Sequence, residues 1–241
     1  MRLKGKFWAG VIAILTLLVA NGPCSAAHAA TLLHKYTFQN GVTDSVGTLN
    51  GTLVGTATVS GGALNIGGSG YADLGAMAIP TGAFSVILSA KGTMDGQYAE
   101  MISQGATTLP GFYIGYQGTG TMRLGDQFTS TNIVFPTDNL WHTYALTSGS
   151  TGTSFYIDQK LAFTSATQII VPTTGSTTRL GNQFAPYAEY FPGQITNVQI
   201  YSGVVNVLPE SPQILLLVGL FALLARAGSS PFQQKQRSRL L

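Results

Sequence analysis

Three scarcities constrain the 241-residue chain before any motif is considered. It has one cysteine, Cys24, and three histidines. Charged residues are only 9% of the sequence, while glycine numbers 30. Segments with the 3.6-residue hydrophobic period of an amphipathic helix are nearly absent between residues 31 and 207. One cysteine cannot form an internal disulfide, and with so few histidines it leaves no Cys/His set for a zinc centre. The low charge leaves solubility to hydroxyls and amides, a balance typical of extracellular bacterial β-proteins. The missing helical period excludes helical bundles and alternating βαβ folds. No repeat of solenoid or propeller length is evident.

The formal net charge of +3 is misleading. Arg2, Lys4 and Lys6 sit at one end of the chain and Arg226, Lys235, Arg237 and Arg239 at the other. Between them five basic residues face eight acidic ones, a net of −3 before Pro209. No nucleic-acid partner is therefore expected.

The basic ends flank apolar runs. Residues 1–29 read as a signal peptide: Arg2, Lys4 and Lys6, the run FWAGVIAILTLLVA, then a polar stretch and small residues. Cleavage after Ala27-His28-Ala29 would remove Cys24 and start the mature chain near Ala30; a retained anchor is the alternative. At the other end, Leu208-Pro209-Glu210-Ser211-Pro212 precedes an apolar stretch, and Ile214 to Ala225 is uninterrupted. Those 12 residues fall short of the roughly 20 that span a bilayer as a helix. Their place after the last expected strand, and the Arg226 that follows, still point to the membrane. The chain thus divides into the signal peptide (1–29), one domain (30–207), a Pro-Glu motif with an apolar helix (208–226) and a polar basic tail (227–241).

Within 30–207 the expectation is an all-β, two-sheet antiparallel sandwich. Short runs of alternating apolar and polar residues are separated by Gly, Asn, Asp and Ser turns at regular intervals. The clearest is WHTYALTSGSTGTSFYIDQKL, from Trp141 to Leu161, which reads as a β-hairpin closed by a second tight turn at Asp158-Gln159-Lys160. FSVILSAKG, from Phe84 to Gly92, is apolar on both faces and reads as a strand near the middle of a sheet.

Eight motifs in order carry a resemblance: KYTF, DSVG, NGTL, SGGALNIGGSGYADLG, WHTYALT, FYIDQKL, RLGN and FPGQITNVQIY. Together they resemble the concanavalin-like, laminin-G-like jelly-roll modules of bacterial surface proteins, over nearly the whole domain. That resemblance implies a curved sandwich whose concave face and rim loops bind carbohydrate or protein, often with calcium. It does not imply one activity, because the fold hosts lectins, adhesive modules and glucanases. The C-terminal tail resembles the bacterial sorting signal, Pro-Glu-Pro followed by an apolar helix and an arginine cluster, that exosortase-type proteases process. Pro209, Glu210 and Arg226 match it; Ser211 and the long polar extension depart from it. A plain membrane anchor and a soluble helix are the other readings of that tail.

Catalysis is not expected. The glucanases of the resembled superfamily place two carboxylates close together on one strand, so that an acid and a nucleophile flank the same bond. Glu100, Glu189 and Glu210 read as isolated, and Asp95 with Glu100 would fall across a loop and its strand. His142 is expected to be a satisfied structural histidine, and Trp141 to pack inside as the family position does. For ligand contact the candidates are Tyr187 and Tyr190 in the aromatic stretch FAPYAEYF, with Tyr98 and Tyr116; the alternative is that these rings bury the sandwich edge. The resemblance implies a structural calcium held by the loop after the first strand and by the last strand. Asp44 and Asn197 fall there, although Thr196-Asn197 stands where relatives have an acidic pair; the alternative for Asp44 is capping its own turn. No other cofactor is expected.

The reading is an exported, surface-associated, non-catalytic binding or adhesion module for carbohydrate or an extracellular polymer. A structural surface protein and an atypical glycoside hydrolase are the rivals.

Overall fold

The computed structural model describes residues 29–207 except 107–108, 173, 175–176 and 185–186. The signal peptide through His28, the Pro209-Glu210 motif, the apolar helix and Arg226 lie outside the described residues.

Among the described residues fourteen strands form two antiparallel sheets. The larger has eight, ordered β12 (Lys160–Ser165), β11 (Gly152–Ile157), β10 (His142–Gly149), β6 (Phe84–Gly92), β14 (Gly193–Ser202), β4 (Ala63–Asn65), β3 (Thr58–Ser60), with β1 (Thr31–Tyr36) also paired to β14. The smaller has six, ordered β2 (Thr52–Val54), β5 (Tyr71–Asp73), β13 (Arg179–Leu180), β7 (Ala99–Ala106), β8 (Leu109–Tyr116), β9 (Met122–Leu124). Among the described residues no helix is long and apolar enough to cross a membrane.

The alternation read in the sequence places the core between these sheets. From β6, Phe84, Val86, Leu88 and Ala90 point inward and are fully buried; from the opposing sheet Phe112, Ile114, Tyr116, Met122 and Leu124 meet them. Aromatic rings bridge the two layers: Phe84 meets Phe112 edge-on at 5.3 Å, and Phe135 is tilted against Tyr116 at 4.6 Å and stacked with Tyr144 at 6.1 Å. Such pairs contribute about 0.5–1.5 kcal/mol each beyond the area they bury. The strand from Phe84 to Gly92 lies between β10 and β14 as expected, but it is not apolar on both faces: Ser85, Ile87, Ser89 and Lys91 alternate with the inward residues, and of these only Ile87 is apolar.

β14 is the axis of the larger sheet. One edge pairs with β6 throughout; the other pairs with β4 near its start and with β1 near its end. The change of partner coincides with a bulge between Thr196 and Gln199, where Asn197 has φ of 49°. The expected hairpin forms with Gly149 and Gly152 closing its loop, and the second turn is a tight one with positive φ at both Asp158 (50°) and Gln159 (64°). Neither residue is glycine, so this turn costs backbone energy. Asp158 offsets the cost: its Oδ1 accepts from the Thr143 N–H at 2.9 Å and its Oδ2 meets His142 Nδ1 at 2.7 Å.

Candidate functional site

Four segments converge at the starting end of β14: the end of β4 (Asn65, Ile66), the β6–β7 loop (Asp95, Gln97), the β13–β14 loop (Ala188, Tyr190, Pro192) and the first residues of β14 (Gly193, Gln194). They enclose a cleft of about 560 Å³. Its lining joins one half-buried aromatic ring, Tyr190, to three carboxamides, Asn65, Gln97 and Gln194, and one carboxylate, Asp95. Carboxamides donate and accept at adjacent atoms, so they suit vicinal hydroxyls, and a phenol ring offers a flat apolar face. Asn65 and Gln194 are already oriented: the Gln194 amide donates to Asn65 Oδ1, and Asn65 Nδ2 donates to Ser60 Oγ at 3.1 Å.

Next to the cleft, on the outer face of the six-stranded sheet, a charge cluster ties the β13–β14 loop down. Arg123 on β9 lies 4.7 Å from the Tyr98 ring centre and 4.5 Å from that of Tyr113. Its Nη1 is 3.2 Å from Glu100 on β7 and 3.4 Å from Glu189 in the loop. Glu100 is wholly buried, and a Cβ on the neighbouring Gly115 would sit 2.0 Å from its Oε2, so only glycine leaves it room. Burial pushes the Glu100 carboxyl well above the usual carboxylate range; Arg123 pulls the other way and Glu189 adds to the rise. The loop is also bound through its backbone, with Glu100 N–H donating to Glu189 O at 3.3 Å. This corrects the reading of Glu100 and Glu189 as isolated: the fold brings both to one guanidinium. It does not pair them as acid and nucleophile, because Glu100 is sealed beneath the arginine.

The tyrosines expected to contact ligand separate into three groups. Tyr190 lines the cleft and packs against the core. Tyr98, which follows cleft residue Gln97, is half exposed and covers Arg123, whereas Tyr187 is exposed and not among the cleft-lining residues. Tyr116 is withdrawn as a ligand contact: it is fully buried, packs at a tilt against Phe135, and donates its hydroxyl to Thr93 O at 3.0 Å. Its side chain follows the inward alternation of Phe112 and Ile114 on β8, which sequence alone left ambiguous at a strand end. Asn65, Gln97 and Gln194 were missed; amides in turns and strand ends carry no spacing signal that singles them out.

Asp44 and Asn197 are each engaged by hydrogen-bond donors of the chain itself. Asp44 Oδ1 accepts from the N–H groups of Lys35, Val46 and Gly47 at 3.0–3.2 Å, and Oδ2 faces Leu49 N–H and His34 Nδ1 at 3.2 and 2.7 Å. Hydrogens occupy the directions a cation would need, and Asn197 Oδ1 takes a bond from Gln199 Nε2. Among the described residues no group of three or more His, Cys, Asp or Glu could hold a metal ion. Turn capping is the role the geometry gives Asp44.

His142 is the satisfied structural histidine expected, with Nδ1 at 2.7 Å from Asp158 and Nε2 at 2.9 Å from Asp138. Burial would lower its pKa, and the two carboxylates outweigh that and raise it. Trp141 departs from expectation. It is 43% exposed, with Lys91 Nζ 5.4 Å from the ring centre, because β10 begins at His142 and the indole lies on the outer side of the sheet.

A family profile for laminin G domains, described as the concanavalin A-like lectin/glucanases superfamily, matches residues 66–207, more than half of the chain. No curated protein sequence matches. Among solved structures, domain 4 of AbnA, an extracellular arabinanase from Geobacillus stearothermophilus in complex with arabinotriose, aligns at 19% identity with a TM-score of 0.60. The alignment covers 74% of this chain and 96% of that domain. Trypanosoma rangeli sialidase in complex with sialic acid aligns at 15% identity and a TM-score of 0.59, covering 73% of this chain and 31% of the sialidase. At these identities the likeness is one of fold.

Proposed function

Since the chain belongs to the concanavalin A-like lectin/glucanases superfamily, we propose that it is a non-catalytic carbohydrate-binding module of the cell surface or extracellular matrix, and that the cleft around Tyr190 is its sugar site. One observation carries this reading: a single cleft combines an aromatic face with three carboxamides at the end of a rigid sandwich. Sugar rings present apolar faces and hydroxyl edges, and that lining complements both. The arabinotriose bound by a domain of the same fold is in keeping with it.

Non-catalytic binding is favoured over hydrolysis because glycoside cleavage needs two carboxyl groups facing one bond. Of the described cleft-lining residues, Asp95 alone is a carboxylate, and the Glu100 carboxyl is wholly buried. The test is a glycan array followed by calorimetry on the purified protein. Selective binding is expected, with Tyr190→Ala weakening it tenfold or more, a loss of about 1.4 kcal/mol or greater. Binding untouched by that substitution would move the site elsewhere, and reducing sugar released from any polysaccharide would end the non-catalytic reading.

Export and surface attachment are part of the proposal, with the membrane and an exosortase-like protease as the partners of the C-terminal segment. Gly203 lies beside Ala30: a Cβ on Gly203 would be 3.2 Å from Ala30 Cα. The cleft is at the other end of β14, whose ten residues extend about 33 Å. Both apolar terminal segments of the sequence would thus attach at the pole opposite the cleft, which suits display of the cleft away from a membrane. Mass spectrometry of the mature protein should find residues before Ala30 removed and the chain ending near Pro209-Glu210; an intact Arg226 to Leu241 would rule out processing at that motif.

A further inference from the structure

The cleft does not end at Gln194. Asn65 on β4 is the register partner of Gln194 on β14, and Gln194 is in turn the partner of Lys91 on β6. On the next strand, His142 pairs with Ala90, so Trp141 stands opposite Lys91, and the Lys91 ammonium is within 5.4 Å of the indole centre. Asn65, Gln194, Lys91 and Trp141 therefore form one row on the outer face of the eight-stranded sheet, across β4, β14 and β6 to the residue that precedes β10. With strands about 4.8 Å apart, the row is roughly 14 Å long. Its first two members line the cleft, and its last is an exposed tryptophan.

Beside this row runs a second, made of Thr196, Ser89 and Thr143, which are also register partners; Ser89 Oγ and Thr143 Oγ1 are 3.2 Å apart. The strip thus offers amides, hydroxyls, one ammonium and one indole, with no carboxylate in either row. A protein interface would call for a larger apolar centre, and a nucleic acid for several cations. A strip of hydrogen-bonding groups ending on an aromatic plate suits a linear oligosaccharide of about three rings lying across the strands.

We infer that the strip extends the cleft, so that the ligand is an internal stretch of a linear polysaccharide and Trp141 is the contact that reads its length. This rests on the carbohydrate reading of the cleft. Tyr190 takes the ring held in the cleft, Gln194 and Lys91 donate to hydroxyls or ring oxygens along the strip, and the Trp141 indole stacks on the distal ring. Lys91 also orients the indole through its cation–π contact, so the plate is set before ligand arrives.

The experiment titrates the full chain with ladders of linear arabino-, xylo-, cello- and galacturono-oligosaccharides of two to six units, following calorimetric heat and tryptophan fluorescence together. Trp8 and Trp141 are the only tryptophans in the sequence, so Trp141→Ala identifies which one reports. At least one ladder is expected to gain tenfold or more in affinity between two and five units, with a fluorescence change. Trp141→Ala should abolish the fluorescence change and the gain with length, and leave the shortest bound oligomer within twofold of wild type and the melting temperature unchanged. If a ladder binds with no length dependence, or Trp141→Ala leaves the gain intact, the extended strip is overturned and the cleft stands. If no ladder binds, both the strip and the carbohydrate reading of the cleft fall.

Discussion

Arg123→Met is expected to destabilise the domain by about 3–5 kcal/mol at neutral pH, the usual cost of removing one partner from a buried ion pair. For a domain of this size that is a fall in melting temperature on the order of 10 °C. Arg123 faces Glu100 at 3.2 Å and Glu189 at 3.4 Å, and neither Glu100 oxygen receives a hydrogen bond. Without the guanidinium, Glu100 must either remain a bare buried charge or hold a proton against solvent. The penalty should therefore depend on pH. With the Glu100 pKa raised still further in the folded variant, the unfolded chain binds fewer protons than the native one, and stability falls as pH rises above the unfolded value near 4.3. Variant and wild type should lie closest below about pH 4 and diverge toward pH 7. Glu100→Gln is the contrasting substitution: it keeps the shape, removes the buried charge and leaves Arg123 paired with Glu189, so its cost should be under about 1 kcal/mol. Denaturant titrations of both variants from pH 4 to 8 check this. A penalty for Arg123→Met that is flat with pH would mean that the lost contacts with Tyr98 and Tyr113, and not the Glu100 charge, carry the loss.

The sandwich was legible because its determinants are local. Alternation in WHTYALT places residues inside or outside a sheet without reference to the partner strand, and Asp158-Gln159 marks a tight turn from sequence alone. The site was far less legible, because its members meet only through strand register. Arg123, Glu100 and Glu189 come from β9, β7 and the β13–β14 loop, and a search for carboxylates close in sequence cannot find them. The row of Asn65, Gln194, Lys91 and Trp141 joins residues up to 129 positions apart in sequence, and it exists because β14 is threaded between β4 and β6. Trp141 and Tyr116 were misplaced for related reasons. Each lies at one end of a strand, where alternation no longer says which side a residue faces until the exact start of the ladder is known.

Replacing Asp44 should have a comparable effect through a different mechanism, and it also bears on whether calcium has any part here. The carboxylate accepts hydrogen bonds from the backbone of Lys35, Val46, Gly47 and Leu49 and from His34, and so ties the loop after β1 to that strand. Gly47 is fitted to it, since a Cβ there would lie 2.6 Å from Asp44 Oδ2 and 2.8 Å from Leu33 O. Burial alone would raise the Asp44 pKa, but the bond from His34 and those from the backbone outweigh it and hold the value at about 2. Because the folded value lies below the unfolded value near 3.9, the carboxylate stabilises the fold above about pH 4, and that contribution is lost as pH falls toward 2. Nearly two pKa units correspond to roughly 2.6 kcal/mol. Asp44→Asn should remove most of that at pH 7, and Asp44→Ala, which leaves several amide groups without an acceptor, about 2–4 kcal/mol. Wild type should lose its advantage over Asp44→Asn between pH 4 and pH 2, where the two unfolding curves converge. Added calcium should leave the melting temperature of both unchanged, since amide hydrogens already fill the coordination directions of this carboxylate. A calcium-dependent rise in wild type that Asp44→Asn abolishes would restore the metal site and displace the capping role.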